Sequence, residues 1–287
     1  MLIPADKLGV IEVTGADSLT FLQGQATPDL RPMGHDDVVF GAFCTPKGRV
    51  ICSAWFQRHQ DGFRIVLPIE MAESLCKRLS LYVLRSKVQL INKSEAAPLW
   101  LSYTSSSETL DNDTAGRSQI DRDDPDCWVV AHSNHLKIMS GVSPDAQQSP
   151  IIRHENAFWL VMSREGIPLI GMKESEEHLP QTLALERWGG LSFTKGCYTG
   201  QEIVTRTQFL GRVKRALYQL SSDTLQMLEP GCDIYADDKS EELLGTTLCA
   251  ASLPNGGVTG LAVLKENEET LTIGFIKGQQ ITLNRCA

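Results

Sequence analysis

No run of apolar residues in this 287-residue chain approaches the roughly 20 that a bilayer-crossing helix needs. The first residues, Met1-Leu2-Ile3-Pro4-Ala5-Asp6-Lys7, lack the basic start and apolar middle of a secretory signal, and they are not Arg/Ser-rich like an organelle transit segment. A helical membrane protein is excluded, no membrane partner is expected, and the expected location is cytoplasmic. Cysteine is plentiful, but an arrangement of cysteines is missing. Of the eight, at positions 44, 52, 76, 127, 197, 232, 249 and 286, no two form Cys-x-x-Cys and none flanks a zinc-type histidine spacing. No metal or cluster site of the chain's own is expected, and in a reducing compartment these residues read as free thiols. Excess positive charge is missing too: the net charge of −8 argues against a general nucleic-acid binder. Internal repeats, heptads and low-complexity tracts are absent. The aspartates at 111, 113, 121, 123, 124 and 126 lack EF-hand spacing, so 104–126 reads as an exposed loop or insertion. His132 and His135, three apart on a strand, do not converge on a metal.

What is present fits an α+β protein of two or three units, since the length exceeds one typical domain. Strands are expected at Leu8 to Val13, Val38 to Cys44, Val50 to Arg58, Phe63 to Leu67 and Lys87 to Ile91. Thr45-Pro46-Lys47-Gly48 supplies turn chemistry between two of them. Thr14 with Asp17 predicts the cap of a helix ending near Gly24, and Met71, Leu75 and Leu79 set a helical period over Glu70 to Leu81. Cys127 to Ala131 and Phe158 to Met162 read as buried strands, and Thr182 to Trp188 as a short helix stopped by Gly189-Gly190. From about Val213, short apolar runs alternate with turns at 254–257, 266–269 and 277–279, which predicts a small antiparallel barrel.

The densest chemistry lies in Lys195-Gly196-Cys197-Tyr198-Thr199-Gly200-Gln201-Glu202. Thr199 with Glu202 fits a capping box, which places Cys197 just outside a helix N-terminus. A thiolate there is favoured by the helix dipole and by Lys195. Gly196 and Gly200 allow sharp turns and close approach to a ligand. The other reading of Cys197 is a small buried hydrophobe. Lys195, Arg206, Arg212, Lys214 and Arg215 cluster in sequence, either as a solvated rim or as a docking surface for an anion.

This octapeptide, continued by Ile203-Val204-Thr205-Arg206, resembles the signature of the YgfZ family, folate-binding proteins related to the aminomethyltransferase (T-protein) of the glycine cleavage system. Val13 to Ser18 with Phe21 to Thr27, and Gly166-Ile167-Pro168 with the Pro180 to Phe193 stretch, resemble other parts of that family, so the likeness runs over most of the chain. The resemblance implies interdigitated α+β domains in a ring with a C-terminal antiparallel β-barrel. Residues 1–211 would form the folate-binding α+β region, with one of its two domains including about 25–95, and 212–287 the barrel. It implies tetrahydrofolate or another reduced folate as ligand. It also implies a role in assembling or repairing iron–sulfur enzymes, tRNA-modifying ones included. The T-protein's catalytic aspartate has no match here, since its region reads Pro46-Lys47-Gly48-Arg49-Val50-Ile51.

A reduced pterin needs an apolar or aromatic slot and a carboxylate for its amino-amide edge. Glu165, in Ser163-Arg164-Glu165-Gly166, is the candidate acid, with an exposed surface acid as the other reading. Phe158 and Trp159 wall the pterin or fill the core. Gln23 and Gln25 cap the first helix or line the pocket. Gln201 turns to the pocket, and Tyr198 and Gly196 flank it. Arg206 pairs with Glu202 one turn earlier or meets an anion. Three functions are compared: a folate-dependent accessory protein for iron–sulfur enzymes or cluster-assembly proteins, with Cys197 reactive and Lys195 beside it; a folate-dependent one-carbon transferase; and, weakest, a tRNA-binding module.

Overall fold

The computed structural model describes residues 1–96, 98–104, 128–133, 135–141, 155–238, 242–254, 256–266 and 271–286. The proposed insertion at 104–126 and its aspartates therefore lie almost entirely outside the described residues.

In chain order the first strands are β1 (Leu2–Pro4), β2 (Leu8–Thr14), β3 (Val38–Cys44), β4 (Val50–His59), β5 (Gly62–Pro68), β6 (Gln89–Asn92), β7 (Leu99–Tyr103), β8 (Trp128–Ala131) and β9 (Leu136–Ser140). Two antiparallel sheets result. One has the order β3-β4-β5-β2-β6 and the other β1-β7-β9-β8. Strand β1 pairs with β7, so the first residues of the chain sit in a sheet otherwise made of much later ones. The five-stranded sheet is interleaved between them.

Side-chain alternation explains why β4 and β5 are buried along almost their whole length. Successive residues of β2 enter different cores: Val10 joins one cluster, Ile11 and Val13 the other. In β4, Trp55 and Phe56 divide in the same way. A strand covered on both faces has no solvent side to make polar. One face is covered by α2 (Ile69–Val83), which buries Met71, Ala72, Leu75 and Leu79 at helical spacing. Each such side chain, moved from water to the core, contributes on the order of 1.5–3 kcal/mol. The other face meets the four-stranded sheet and α3 (Glu155–Glu165) through Leu101, Ile138, Phe158, Val161 and Met162.

The segment Phe158 to Met162 is thus helix α3, not the expected strand. A short apolar run has no period of its own, and its flanks decide. Burial covers Ala157, Phe158, Leu160, Val161, Met162 and Ser163, leaves Trp159 half-buried, and ends at the exposed Arg164. Asn156 fixes the start of α3: its side chain donates to Ser252 O at 2.7 Å and accepts from Ser252 N at 2.6 Å. The expected helix at Thr182 to Trp188 is two 3₁₀ turns, Gln181–Leu183 and Leu185–Trp188, because Ala184 takes a left-handed φ of 51° between them. The cap expected from Thr14 and Asp17 is also absent. Helix α1 (Ser18–Gln23) has no side-chain cap; Asp17 instead accepts from Lys87 N at 2.7 Å and ties the segment leading into β6 to the helix start.

After helix α4 (Gln201–Leu210), strands β10 (Arg215–Ser222), β11 (Asp233–Tyr235), β12 (Leu243–Ser252), β13 (Val258–Lys265), β14 (Ile273–Ile276) and β15 (Gln279–Arg285) close a barrel in the order β10-β13-β12-β11-β14-β15. Closure removes exposed strand edges. Lys277 (φ 49°) and Gly278 (φ 76°) make the tight β14–β15 hairpin, where both central residues need positive φ. Ala216, Tyr218 and Leu220 point into the barrel, while Leu217 joins the main core outside it. Gln219 of β10 donates to the carbonyls of Ser163 and Arg164 at 2.8 and 3.0 Å. The barrel thereby satisfies carbonyls at the C-terminal end of α3, next to Glu165.

Candidate functional site

The signature loop is held from four directions. Lys195 is buried, and its ammonium donates to the carbonyls of Ala26 and Pro28, each at 2.7 Å, while lying 4.9 Å from the Tyr198 ring centre. Burial pulls its pKa from 10.5 down to about 8, opposed by the charge of Asp29 and assisted by Arg31. Thr199 N donates to Gly24 O at 3.1 Å and its hydroxyl to Gln25 Oε1 at 3.4 Å. Gln201 accepts from Tyr198 N and donates to Lys195 O, closing the loop on itself. Gly200 packs face to face with the β3–β4 turn: a Cβ there would stand 2.4 Å from Thr45 O.

Several expectations change accordingly. No capping box forms, because the helix N-terminus is Gly200 at φ 87° and no side chain caps it; Glu202 is exposed. A left-handed residue at that junction turns the Thr199 hydroxyl toward Gln25 rather than toward the helix. Lys195 serves the loop of residues 26–28 with its ammonium and is not an open partner for the thiol. Gln201 braces the loop instead of facing a pocket. Tyr198 is a core residue, its hydroxyl buried without a hydrogen bond and its pKa raised by burial. Arg206 is exposed, and no ion pair joins it to Glu202. Gln23 is buried, donating to Asp29 Oδ1 at 2.6 Å and accepting from Leu30 N at 2.9 Å, so it holds the turn after α1. Gly196 is exposed and faces Arg31: a Cβ would lie 3.2 Å from that guanidinium. Cys197 is exposed, free, and has no hydrogen-bond partner. Of the cationic cluster, Arg206, Arg212, Lys214 and Arg215 are exposed, whereas Lys195 belongs to the interior.

A second group forms around α3. Glu165 is half-buried, and Ser133 donates to its Oε2 at 3.4 Å. The Tyr103 hydroxyl adjoins it, with a pKa raised by burial and then by the Glu165 charge. Phe158 is fully buried and meets the half-buried Trp159 edge to face at 5.1 Å between ring centres. Phe158 is therefore core, and Trp159 is the more accessible ring of the two.

Next to Ser133 stands His132, whose Nδ1 accepts from the Trp55 indole N–H at 3.0 Å. An indole can only donate, so the neutral imidazole carries its proton on Nε2. Burial, with the Arg187 charge second, lowers the His132 pKa to about 4 and keeps the ring neutral near pH 7. That Nε2–H is buried and unpaired, and so is the indole N–H of Trp188, whose ring centre lies 4.4 Å from that of His132. Arg187 covers the Trp188 face at 4.4 Å. Sequence reading missed His132 and Trp188, because the tautomer and the burial that matter depend on Trp55, some 77 positions away from His132.

These layers and the closed barrel define a T-protein-like fold. The glycine cleavage system aminomethyltransferase T from Bartonella henselae superposes with a TM-score of 0.74 over 100% of this chain and 84% of that one, at 14% identity, a likeness of fold alone. In sequence the chain is similar to YgfZ proteins along nearly its whole length. It is 28% identical over 296 residues to tRNA-modifying protein YgfZ of Enterobacter sp. (strain 638), covering 99% of this chain and 91% of that protein. It is 29% identical over 304 residues to the protein of the same name from Pectobacterium carotovorum subsp. carotovorum (strain PC1), covering 98% and 90%. No family model matches the chain.

Proposed function

We propose that the chain binds tetrahydrofolate or another reduced folate beside α3 and serves iron–sulfur enzymes or their cluster-assembly proteins, tRNA-modifying enzymes among them, with Cys197 as its reactive thiol. The observation that carries this reading is the pair of buried, unpaired N–H donors on His132 and Trp188, with Ser133, the chain neighbour of His132, bonded to the Glu165 carboxylate. A buried donor without a partner destabilises the fold by about 1–3 kcal/mol, so two together mark a place suited to a ligand's acceptor oxygens. The folate fits this donor set: its amino-amide edge donates to a carboxylate such as Glu165, its carbonyl and carboxylate oxygens accept from N–H groups, and its ring system suits the half-buried Trp159. When bound, a reduced folate supplies a carrier of one-carbon units. The names of the relatives support the tRNA-modification context, and the resemblance of the 195–206 signature to a folate-binding family supports the folate. Contact with tRNA itself has only the four exposed cations of the α4–β10 region in its favour, against a net charge of −8.

Anaerobic calorimetric titration with tetrahydrofolate tests the reading. Glu165→Gln and Trp188→Phe should each weaken binding by roughly 5- to 100-fold, the range of one neutral to one charged hydrogen bond. Cys197→Ala should leave binding unchanged. No binding to the unmodified protein overturns the folate assignment.

A second reading, a folate-dependent one-carbon transferase, is favoured by the open, unpartnered Cys197 thiol. It requires turnover of a methylene- or methyl-folate that disappears in Cys197→Ser. The lack of an acid at 46–51, where the chain forms the β3–β4 turn and the start of β4, speaks against ordinary aminomethyl transfer.

A further inference from the structure

At the far end of the five-stranded sheet, three ligand-type side chains converge. His35 and Asp36 lie in the turn before β3, and His59 is the last residue of β4. One ligand atom from each lies within 4.8 Å of the other two. We propose that His35, Asp36 and His59 bind a divalent first-row transition ion of the Zn²⁺ or Co²⁺ type.

Three features of the backbone build this convergence. Neighbouring side chains on an extended strand point to opposite faces. Asp36 has φ 64°, a left-handed conformation that brings its carboxylate to the same side as His35, with Oδ2 3.0 Å from His35 Nδ1. The turn is closed by Asp37, which accepts from Gly34 N at 2.7 Å. It is then docked on β4, since Asp36 N donates to Arg58 O at 2.9 Å and Arg58 N to Asp37 O at 3.0 Å. His59 is held by the hairpin into β5, where it pairs with Gly62.

Two imidazoles and a carboxylate suit a borderline ion better than Mg²⁺ or Ca²⁺, which select all-oxygen shells. Around a tetrahedral ion with ligands at about 2.0–2.2 Å, donor atoms stand roughly 3.3 Å apart. The 3.0 Å His35–Asp36 contact is an ion pair that must give up its shared proton to the ion's arrival, and the His59 ring has to turn inward. Its centre is 6.2 Å from that of His35. His35 and Asp36 are exposed, so remaining coordination positions face solvent and can take water or a donor from another molecule. None of the three residues belongs to the folate reading, and the site stands or falls independently of it.

The experiment uses full-length Cys197→Ser protein, so that the exposed thiol does not compete, stripped with a chelator and titrated calorimetrically with Zn²⁺ and with Co²⁺. A single ion should bind per chain, and His35→Ala, Asp36→Asn and His59→Ala should each weaken it at least tenfold. The bound Co²⁺ should show no thiolate charge-transfer band in the near ultraviolet. Zn²⁺ should raise the thermal midpoint of the parent but not of His35→Ala, an exposed position whose replacement does not endanger folding. Absence of binding, binding that survives all three substitutions, or a thiolate band on Co²⁺ would each overturn the proposal.

Discussion

Replacing Gly200 by alanine isolates what the signature loop needs from its glycine. Gly200 has φ 87°, and a methyl group there would stand 2.4 Å from Thr45 O, 2.9 Å from Gly48 Cα and 3.1 Å from Gly48 N. All three are backbone atoms of the β3–β4 turn, so no side chain can rotate out of the way. The left-handed conformation alone costs a non-glycine residue roughly 1–2 kcal/mol. Forcing the turn and the loop apart adds about 1–3 kcal/mol, the usual range for an over-packed contact. Gly278→Ala is the control: its φ is 76°, and a methyl group would meet nothing within 4 Å. Both variants lose the conformational part, and only Gly200→Ala loses the contact part. By urea denaturation followed by circular dichroism, Gly200→Ala should be the less stable of the two by about 1–3 kcal/mol, or roughly 2–12 °C in thermal midpoint. Equal losses in the two variants would refute the argument that Gly200 is there for packing.

Other consequences concern charge. In the folded protein Lys195 gives up its proton at about pH 8, but near 10.5 when unfolded. Between those values the unfolded chain holds more protons, so the contribution of Lys195 to stability rises with pH, by up to roughly 3 kcal/mol. The stability difference between the unmodified protein and Lys195→Met, measured from pH 7.5 to 10.5, should grow in favour of the former; a flat difference contradicts the buried ammonium. His132 and His178 have pKa values lowered from 6.5 to about 4, mainly by burial. Their contribution is complete above pH 6.5 and disappears as the pH falls toward 4, because only the unfolded chain takes up those protons. His132→Phe should be less stable at pH 7, by about 1–3 kcal/mol for the unpaired Trp55 N–H, yet show a shallower acid slope in the urea midpoint. Glu202→Ala should change stability by less than about 0.5 kcal/mol, since no cap depends on it, whereas loss of a working capping-box partner would cost on the order of 1 kcal/mol.

The legible parts of the sequence were those with a period or a turn that nothing else could satisfy. Met71, Leu75 and Leu79 made a helix, the 277–279 turn made a hairpin, and the barrel followed from their repetition. Phe158 to Met162 was misread because five apolar residues in a row fit a strand and a helix equally well. The deciding bond, Asn156 to Ser252, spans 96 positions. Both expected caps failed for a common reason. Asp17 is drawn to Lys87 N and Thr199 to Gln25, long-range partners that a local motif cannot reveal. Of the candidate site, the sequence offered Cys197 and Glu165, which the fold leaves exposed and half-buried. The unpaired donors on His132 and Trp188 were not legible in it, since an unpaired group is defined by everything around it.

Most of the specificity in the octapeptide belongs to architecture. Lys195 joins the loop to residues 26–28, Tyr198 fills the core, Thr199 reaches back to Gly24 and Gln25, Gly200 admits the β3–β4 turn, and Gln201 closes the loop. Glu202 faces solvent, as do Gly196 and Cys197. Among the other described cysteines, Cys44, Cys52 and Cys249 are fully buried, and burial drives each thiol pKa up, to about 12 for Cys52 and about 11 for Cys249. Those thiols are inert hydrophobes in effect. Cys197 differs from them by exposure, in a loop whose other members are occupied in fixing its backbone. A buried lysine, a core tyrosine and a left-handed glycine hold the backbone around an exposed thiol, the arrangement that the chemistry proposed for Cys197 requires.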